Sequence, residues 1–365
     1  MGSVVYELTG GPYDDGNYTD SYDNYTDIDD NYCGADKMDM QVFNVTFQSV
    51  LYSFIFLLGV AGNGLMITVL LRRGRVLRIT EIYLLHLAVA DLMLLFTFPF
   101  NVAETLGEWL FGEFLCKLMG LVKNLNIFCG SLLLACIGFD RYLAIVRAIP
   151  SLQSRRPRTV HLLCISLWLV CLALSIPNVV FLSVSRTNTS KLTCFYSNYE
   201  MHSNNWVLTN RVFEHVCFFL PLAVMSYCYT AVVITLRSSQ KSQATKGAIR
   251  LALLITVIFC FCWLPYNITL LIDTLAEVQV IKYEKCSYYV ATQAAVDVTR
   301  SLGFSHCCLN PFLYAFVGVR FRNELIQLLC KAGCSRLCLP FTKAQSHSRP
   351  SVSEGVTTTS SYVFM

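Results

Sequence analysis

An aspartate, an arginine and a tyrosine stand in a row as Asp140-Arg141-Tyr142, at the end of a long apolar run and directly before Leu143-Ala144-Ile145-Val146. Charges next to hydrocarbon are expensive, so these are expected to have a role. Other polar residues interrupt other apolar runs: Asn63 beside Gly62, Asp91 within 87–92, Asn126, and Asn310 within Asn310-Pro311-Phe312-Leu313-Tyr314. Such residues hydrogen-bond between helices and hold a bundle together. Around Asp91 they also read as a water-filled network able to take a sodium ion, although Gly130 offers no hydroxyl where a serine ligand would be useful. The six histidines are scattered, and no nucleophile or metal motif appears. An enzyme is not indicated, and neither a cofactor, a nucleic acid partner nor a metal beyond that sodium is expected.

Helices must carry these residues through a membrane. The chain is 55% hydrophobic and 14% charged, with mean hydropathy +0.51, too apolar for one soluble domain of this length. Stretches of about 20 apolar residues cross a bilayer, and seven are expected, at 48–72, 80–104, 115–140, 159–182, 207–236, 250–273 and 289–316. Bundled helices satisfy their backbone bonds internally, so the fold class is all-α. Basic residues cluster in alternate loops: Arg72, Arg73, Arg75 and Arg78; Arg147, Arg155, Arg156 and Arg158; Arg237, Lys241, Lys246 and Arg250; then Arg320, Arg322, Lys331 and Arg336. That bias puts the acidic N-terminal segment outside and the C-terminus inside. The sequons at Asn17, Asn24, Asn44 and Asn188 all fall on the outer side. No apolar signal region precedes residue 48, so the first span is expected to act as signal anchor.

The expected organisation is an acidic, glycosylated and disordered segment 1–47, a bundle 48–318, a short amphipathic helix 319–331 and a disordered regulatory tail 332–365. Most of the 17 cysteines sit inside apolar runs as small buried hydrophobes. Cys33, Cys116, Cys194 and Cys286 fall in outer positions, and four cysteines allow three pairings. Favoured are Cys116–Cys194, which would pin a loop over the bundle mouth, and Cys33–Cys286, which would tie the N-terminal segment to span seven; free thiols are the alternative. Cys330, Cys334 and Cys338 follow the amphipathic stretch, either palmitoylated or unmodified. Pro99, Pro177, Pro221, Pro265 and Pro311 each lie inside a span, where a proline removes a backbone bond and kinks the helix. Trp263, two residues before Pro265, is well placed to couple pocket occupancy to helix swing.

Jointly, Asn63, Asp91, Asp140-Arg141-Tyr142, Trp168, Pro221 with Tyr229, Cys262-Trp263-Leu264-Pro265, and Asn310-Pro311 with Tyr314 resemble the rhodopsin-like (class A) G-protein-coupled receptors over roughly 45–330. Thr97-Phe98-Pro99, Asp140-Arg141-Tyr142-Leu143-Ala144-Ile145-Val146, the Cys33/Cys286 pair and Trp109-Leu110-Phe111-Gly112 resemble chemokine receptors, and His306-Cys307-Cys308-Leu309-Asn310-Pro311 resembles the CXC type in particular. Within that group, 315–322 and 181–183 look most like the receptor for interferon-inducible chemokines, with the B-cell-homing and interleukin-8 types next. The resemblance implies a CXC chemokine ligand, a heterotrimeric Gi protein, calcium signalling and chemotaxis, in the plasma membrane.

The N-terminal segment agrees with a basic protein ligand. Tyr13, Tyr18, Tyr22, Tyr25 and Tyr32 alternate with aspartates, a pattern suited to sulfation and to steering a cation-rich partner. Trp109, Lys123, Arg211, Tyr266, Asp273, Asp297 and Arg300 near outer span ends are candidate pocket residues. Arg300 stands where many chemokine receptors have a glutamate, so with Lys123 and Arg211 the pocket is expected to be less acidic than usual. On the inside, Arg141 would be held by Asp140 at rest and freed on activation, with Tyr229 and Tyr314 swinging in. Thr245 and Lys246 begin span six without an acidic residue, so a second clamp is expected to be absent and basal activity raised. The tail carries Ser346, Ser348, Ser351, Ser353 and Thr357 to Ser361 for receptor kinases and arrestin. A transporter would show repeats, and a retinal protein would need a lysine within 289–316, which is absent. The remaining rival is an atypical scavenging chemokine receptor without G-protein coupling; such receptors commonly alter the triplet, which is intact here.

Overall fold

The computed structural model describes residues 26–71, 77–147, 157–186, 191–196, 203–237, 243–281 and 286–317. Along these the helices are α1 (Thr26–Leu71), α2 (Ile79–Leu95), α3 (Phe98–Leu106), α4 (Gly112–Ile145), α5 (Pro157–Val180), α6 (Ser203–Arg237), α7 (Gln243–Glu277), α8 (Cys286–Gly303) and α9 (His306–Val317). Strands β1 (Leu182–Arg186) and β2 (Leu192–Tyr196) pair antiparallel, with Val184 opposite Cys194. Among the described residues, six stretches are long and apolar enough to cross a membrane: Val42–Leu71, Ile79–Leu106, Gly112–Ile145, Pro157–Ile176, Leu208–Arg237 and Ile249–Glu277. The second of these joins α2 and α3. The seventh expected span is divided into α8 and α9, and α8 carries Gln293, Asp297 and Arg300 toward the bundle mouth, which lowers its apolar character.

Helix α1 begins at Thr26, ahead of the first expected span. The all-α class holds, and the short β1–β2 hairpin, with its alternating Leu182-Ser183-Val184-Ser185, adds a strand pair to it.

Helix α4 is the most enclosed, packing against α2, α5, α6 and α7. Large apolar side chains such as Leu57, Phe114 and Phe261 stand exposed on the outside of the bundle, as lipid contact requires. The prolines do more than bend helices. Pro311 has no N–H, which leaves the carbonyl of Cys307 without its helical donor. Asn63 Nδ2 from α1 takes that oxygen at 2.8 Å. Pro221 likewise frees the carbonyl of Cys217, and Ser131 Oγ from α4 donates to it at 2.6 Å. A side chain of a neighbouring helix thus repairs each kink. Gly62 makes the first repair possible, because a Cβ there would lie 2.7 Å from the Pro311 ring. Pro99 differs from expectation: it sits in the first turn of α3, after a break at Phe96 and Thr97 where Thr97 Oγ1 bonds the Leu94 carbonyl at 2.7 Å.

Candidate functional site

At the hairpin end, Cys116 of α4 and Cys194 of β2 form a disulfide, the pairing favoured from sequence. Trp109, Met119 and Leu182 pack around it in a buried cluster. The Trp109 amide donates to the Leu192 carbonyl at 2.7 Å, while its indole N–H donates to the Gly112 carbonyl at 2.8 Å. Glu104 and Glu108 accept from the amides of Cys194 and Leu192 at 2.9 and 3.2 Å. Trp109, expected among the pocket residues, is buried against the hairpin.

Below the hairpin lies a charged pocket. Arg211 pairs with Asp273 at 2.7 Å and with Glu277 at 2.9 Å, and Gln293 Nε2 donates to Asp273 at 2.7 Å. Arg300 lies 5.2 Å from the centre of the Tyr266 ring and 3.7 Å from Asp297. The Tyr266 hydroxyl donates to Glu214 at 2.8 Å, and Asn210 Nδ2 donates to the other oxygen at 2.9 Å. Lys123 Nζ donates to Asn101 Oδ1 at 2.8 Å. Of the residues expected near the outer span ends, Arg211 meets Asp273 and Arg300 meets Asp297 and Tyr266, while Glu214 and Glu277 were not among them. With those two, four carboxylates stand among the three cations Lys123, Arg211 and Arg300. Glu214 lay unread because a lone acid in the fifth span carries no motif.

The Tyr266 ring packs edge-on against Trp263, 5.6 Å away. Trp263 is fully buried, and its indole N–H reaches His306 Nδ1 at 3.2 Å. His306 Nε2 lies 3.5 Å from Asp91 Oδ1. Asp91 also accepts from Asn126 Nδ2 at 3.1 Å, Asn310 Nδ2 at 2.9 Å and the Cys307 thiol at 3.3 Å. Of the expected network, Asp91, Asn126 and Asn310 meet, whereas Asn63 works one step away on the Cys307 carbonyl. His306 and Cys307 are additions; their signal was the polar pair just before Leu309-Asn310-Pro311. Gly130 is explained too: the edge of Phe259 would lie 3.0 Å from a Cβ there, so an aromatic ring occupies the space a serine would need.

At the opposite end, Arg141 lies 3.5 Å from Asp140, and its Nε is buried without a partner. Tyr229 is held by Thr256 Oγ1 at 3.4 Å, and Tyr142 meets Tyr227 at 3.4 Å and Arg147 Nε at 3.2 Å. Asn44 lies in α1, where Thr46 of its sequon bonds the Val42 carbonyl at 3.1 Å. Tyr13, Tyr18, Tyr22, Tyr25, Asn17, Asn24, Asn188 and the whole of 319–365 lie outside the described residues, as do the side chains of Cys33, Cys286 and Tyr314.

Residues 62–314 match the family model of the 7 transmembrane receptor (rhodopsin family). The human C-X-C chemokine receptor type 5 is 42% identical over 331 residues, 89% of this chain and 88% of its own. The Bos taurus C-X-C chemokine receptor type 3 is 39% identical over 322 residues, 88% of this chain and 86% of its own. The human type 3 receptor is 38% identical over 322 residues, 87% and 86% of the two chains. Identities this similar do not separate the two types. A bundle of apolar helices, an Asp-Arg-Tyr triplet closed at one end, a charged pocket at the other and a polar core between them are the parts of a multi-pass plasma-membrane receptor rather than an enzyme, and the chain belongs to the rhodopsin family of seven-transmembrane receptors, in its C-X-C chemokine receptor group.

Proposed function

We propose that this receptor binds C-X-C chemokines at its extracellular face and couples them to a heterotrimeric Gi protein, with calcium signalling and chemotaxis as output. The carrying observation is the Asp140–Arg141 pair at 3.5 Å beside a buried, unpartnered Arg141 Nε. In this reading activation moves the Arg141 guanidinium from Asp140 to an incoming partner. The acidic, tyrosine-rich segment before residue 26 supports a basic protein as ligand. Within the bundle, Glu214, Asp273, Glu277 and Asp297 attract the ligand's cationic groups, and Arg300 and Lys123 its anionic ones. Tyr266, Trp263 and His306 form a packed path from that pocket to Asp91. Receptor kinases and arrestin would act on the Ser/Thr-rich tail.

The test is a Gi-dependent cAMP or calcium response in transfected cells against a panel of CXC chemokines, beside Arg141→Ala. A response that the variant loses while still binding ligand supports the proposal. Binding and uptake without any response from the intact chain would identify a scavenging receptor instead.

A further inference from the structure

Asp91, His306 and Cys307 are drawn from two helices, α2 and α9, and each is fully buried. Their donor atoms form a nearly equilateral triangle. Cys307 Sγ lies 3.3 Å from Asp91 Oδ1 and 3.5 Å from His306 Nε2, and the remaining edge is 3.5 Å. A tetrahedral zinc ion, with bonds of roughly 2.3 Å to sulfur and 2.0–2.2 Å to nitrogen and oxygen, sets its ligands roughly 3.3–3.6 Å apart. The triangle therefore already has the dimensions of one face of such a site. A sodium ion, which favours oxygen, finds one carboxylate here, a nitrogen, a sulfur, and Phe259 where a hydroxyl would help. One hard and two softer donors select a borderline transition metal.

Two further observations point the same way. Asn126 Oδ1 and Asn310 Oδ1 are buried without hydrogen-bond partners, on amides whose nitrogens already rest on Asp91. A buried orphan carbonyl is costly, and a cation beside the carboxylate would satisfy one of them as its fourth ligand. His306 Nδ1 also lies 2.8 Å from the Gly303 carbonyl, and a metal-bound histidine commonly donates its other N–H to a backbone carbonyl.

We propose that Asp91, His306 and Cys307 form a buried transition-metal site of the zinc class, completed by an asparagine oxygen, whose filling releases Trp263 from His306. Binding would deprotonate the Cys307 thiol and release that proton to solvent as the metal–sulfur bond forms. His306 stays neutral: Nε2 gives up its proton to take the metal, and Nδ1 regains one to donate to Gly303. Nδ1 can then no longer accept from the Trp263 indole, 3.2 Å away. The metal and the indole therefore compete for one imidazole.

The probe is Co2+, added to the purified, chelator-treated full-length receptor in nanodiscs. Cys330, Cys334 and Cys338 are replaced by serine to remove thiols outside the bundle. One equivalent is expected to give a tetrahedral spectrum with a thiolate-to-cobalt charge-transfer band, lost on adding Zn2+, in Cys307→Ser and in His306→Asn. No band, or a band that survives Cys307→Ser, overturns the site. Should those variants fail to fold, X-ray absorption on the zinc-loaded parent decides, since a shell without both sulfur and nitrogen also overturns it. Trp263→Phe removes the competing N–H and is expected to tighten Co2+ binding about 2- to 10-fold, the worth of one hydrogen bond. Unchanged affinity there would overturn the competition.

Discussion

At the hairpin end of the bundle, a disulfide, a strand ladder and two glutamates bonding backbone amides at 2.9 and 3.2 Å hold the chain, and Arg211 bridges α6 to α7 through carboxylates at 2.7 and 2.9 Å. Among the described residues at the Arg141 end, Asp140 lies 3.5 Å from Arg141, hydroxyl contacts of 3.4 Å join Tyr229 to Thr256 and Tyr142 to Tyr227, and Arg147 Nε donates to Tyr142 at 3.2 Å. Charge-assisted bonds at short distance are roughly twice as strong as neutral ones and weaken with length. The hairpin end is therefore framed by a covalent tie and by shorter contacts than those named at the Arg141 end.

The comparison breaks most readily at the disulfide. Cys116→Ser removes a cross-link spanning 78 residues, and loss of such a bridge costs about 2–5 kcal/mol. We expect thermal stability and ligand binding to collapse together. Intact binding in the variant would mean that the hairpin end is held by something other than its covalent tie.

A smaller effect, felt toward the other end, is expected from Gly62→Ala. The added Cβ would sit 2.7 Å from the Pro311 ring and push α1 from α9, and overpacking of this kind costs about 1–3 kcal/mol. Asn63 would lose its 2.8 Å grip on the Cys307 carbonyl. Thermal unfolding of purified protein measures the loss; no change in midpoint would show that this contact is slack.

Ser131→Ala probes the other repaired kink. It leaves the Cys217 carbonyl, freed by Pro221, without its 2.6 Å donor. Hydrogen bonds between transmembrane helices average about 0.6 kcal/mol, and the strongest reach about 1.7. A shortened bond that serves an otherwise empty carbonyl belongs near the upper value, still below the cost of the Gly62 clash. An effect as large as that of Gly62→Ala would mean that the kink governs α6 packing as a whole.

Sequence made the membrane class legible because hydropathy, basic loops and the triplet each act over short windows. The second span ran close to its expected bounds, and Asp91, Asn126 and Asn310 met as expected. What escaped depends on distances no window contains. Asn63 was placed beside Asp91, yet it serves a carbonyl emptied by a proline in another helix. Glu214 and Glu277 joined the pocket only when α6 and α7 were set side by side. His306 and Cys307 read as a family signature, and only packing α9 against α2 turned them into a triangle around a carboxylate.

The mildest substitution addresses the Arg141 end directly. Thr256→Val keeps the shape of the side chain and removes the 3.4 Å bond to Tyr229, together with the 3.0 Å bond to the Ala252 carbonyl within its own helix. The second bond is local and optional, so the stability change should stay near the worth of the first, about 0.6 kcal/mol. The first ties α6 to α7 at the end where Arg141 waits for release. If it favours the closed arrangement by about 0.6 kcal/mol, the mean for such bonds, its loss raises the open population roughly threefold. Basal G-protein activation without ligand is the measurement, at matched surface expression. A fall in basal activity would reverse the assignment: Thr256 would then be holding Tyr229 for the open form, and the resting state would rest on Asp140 alone.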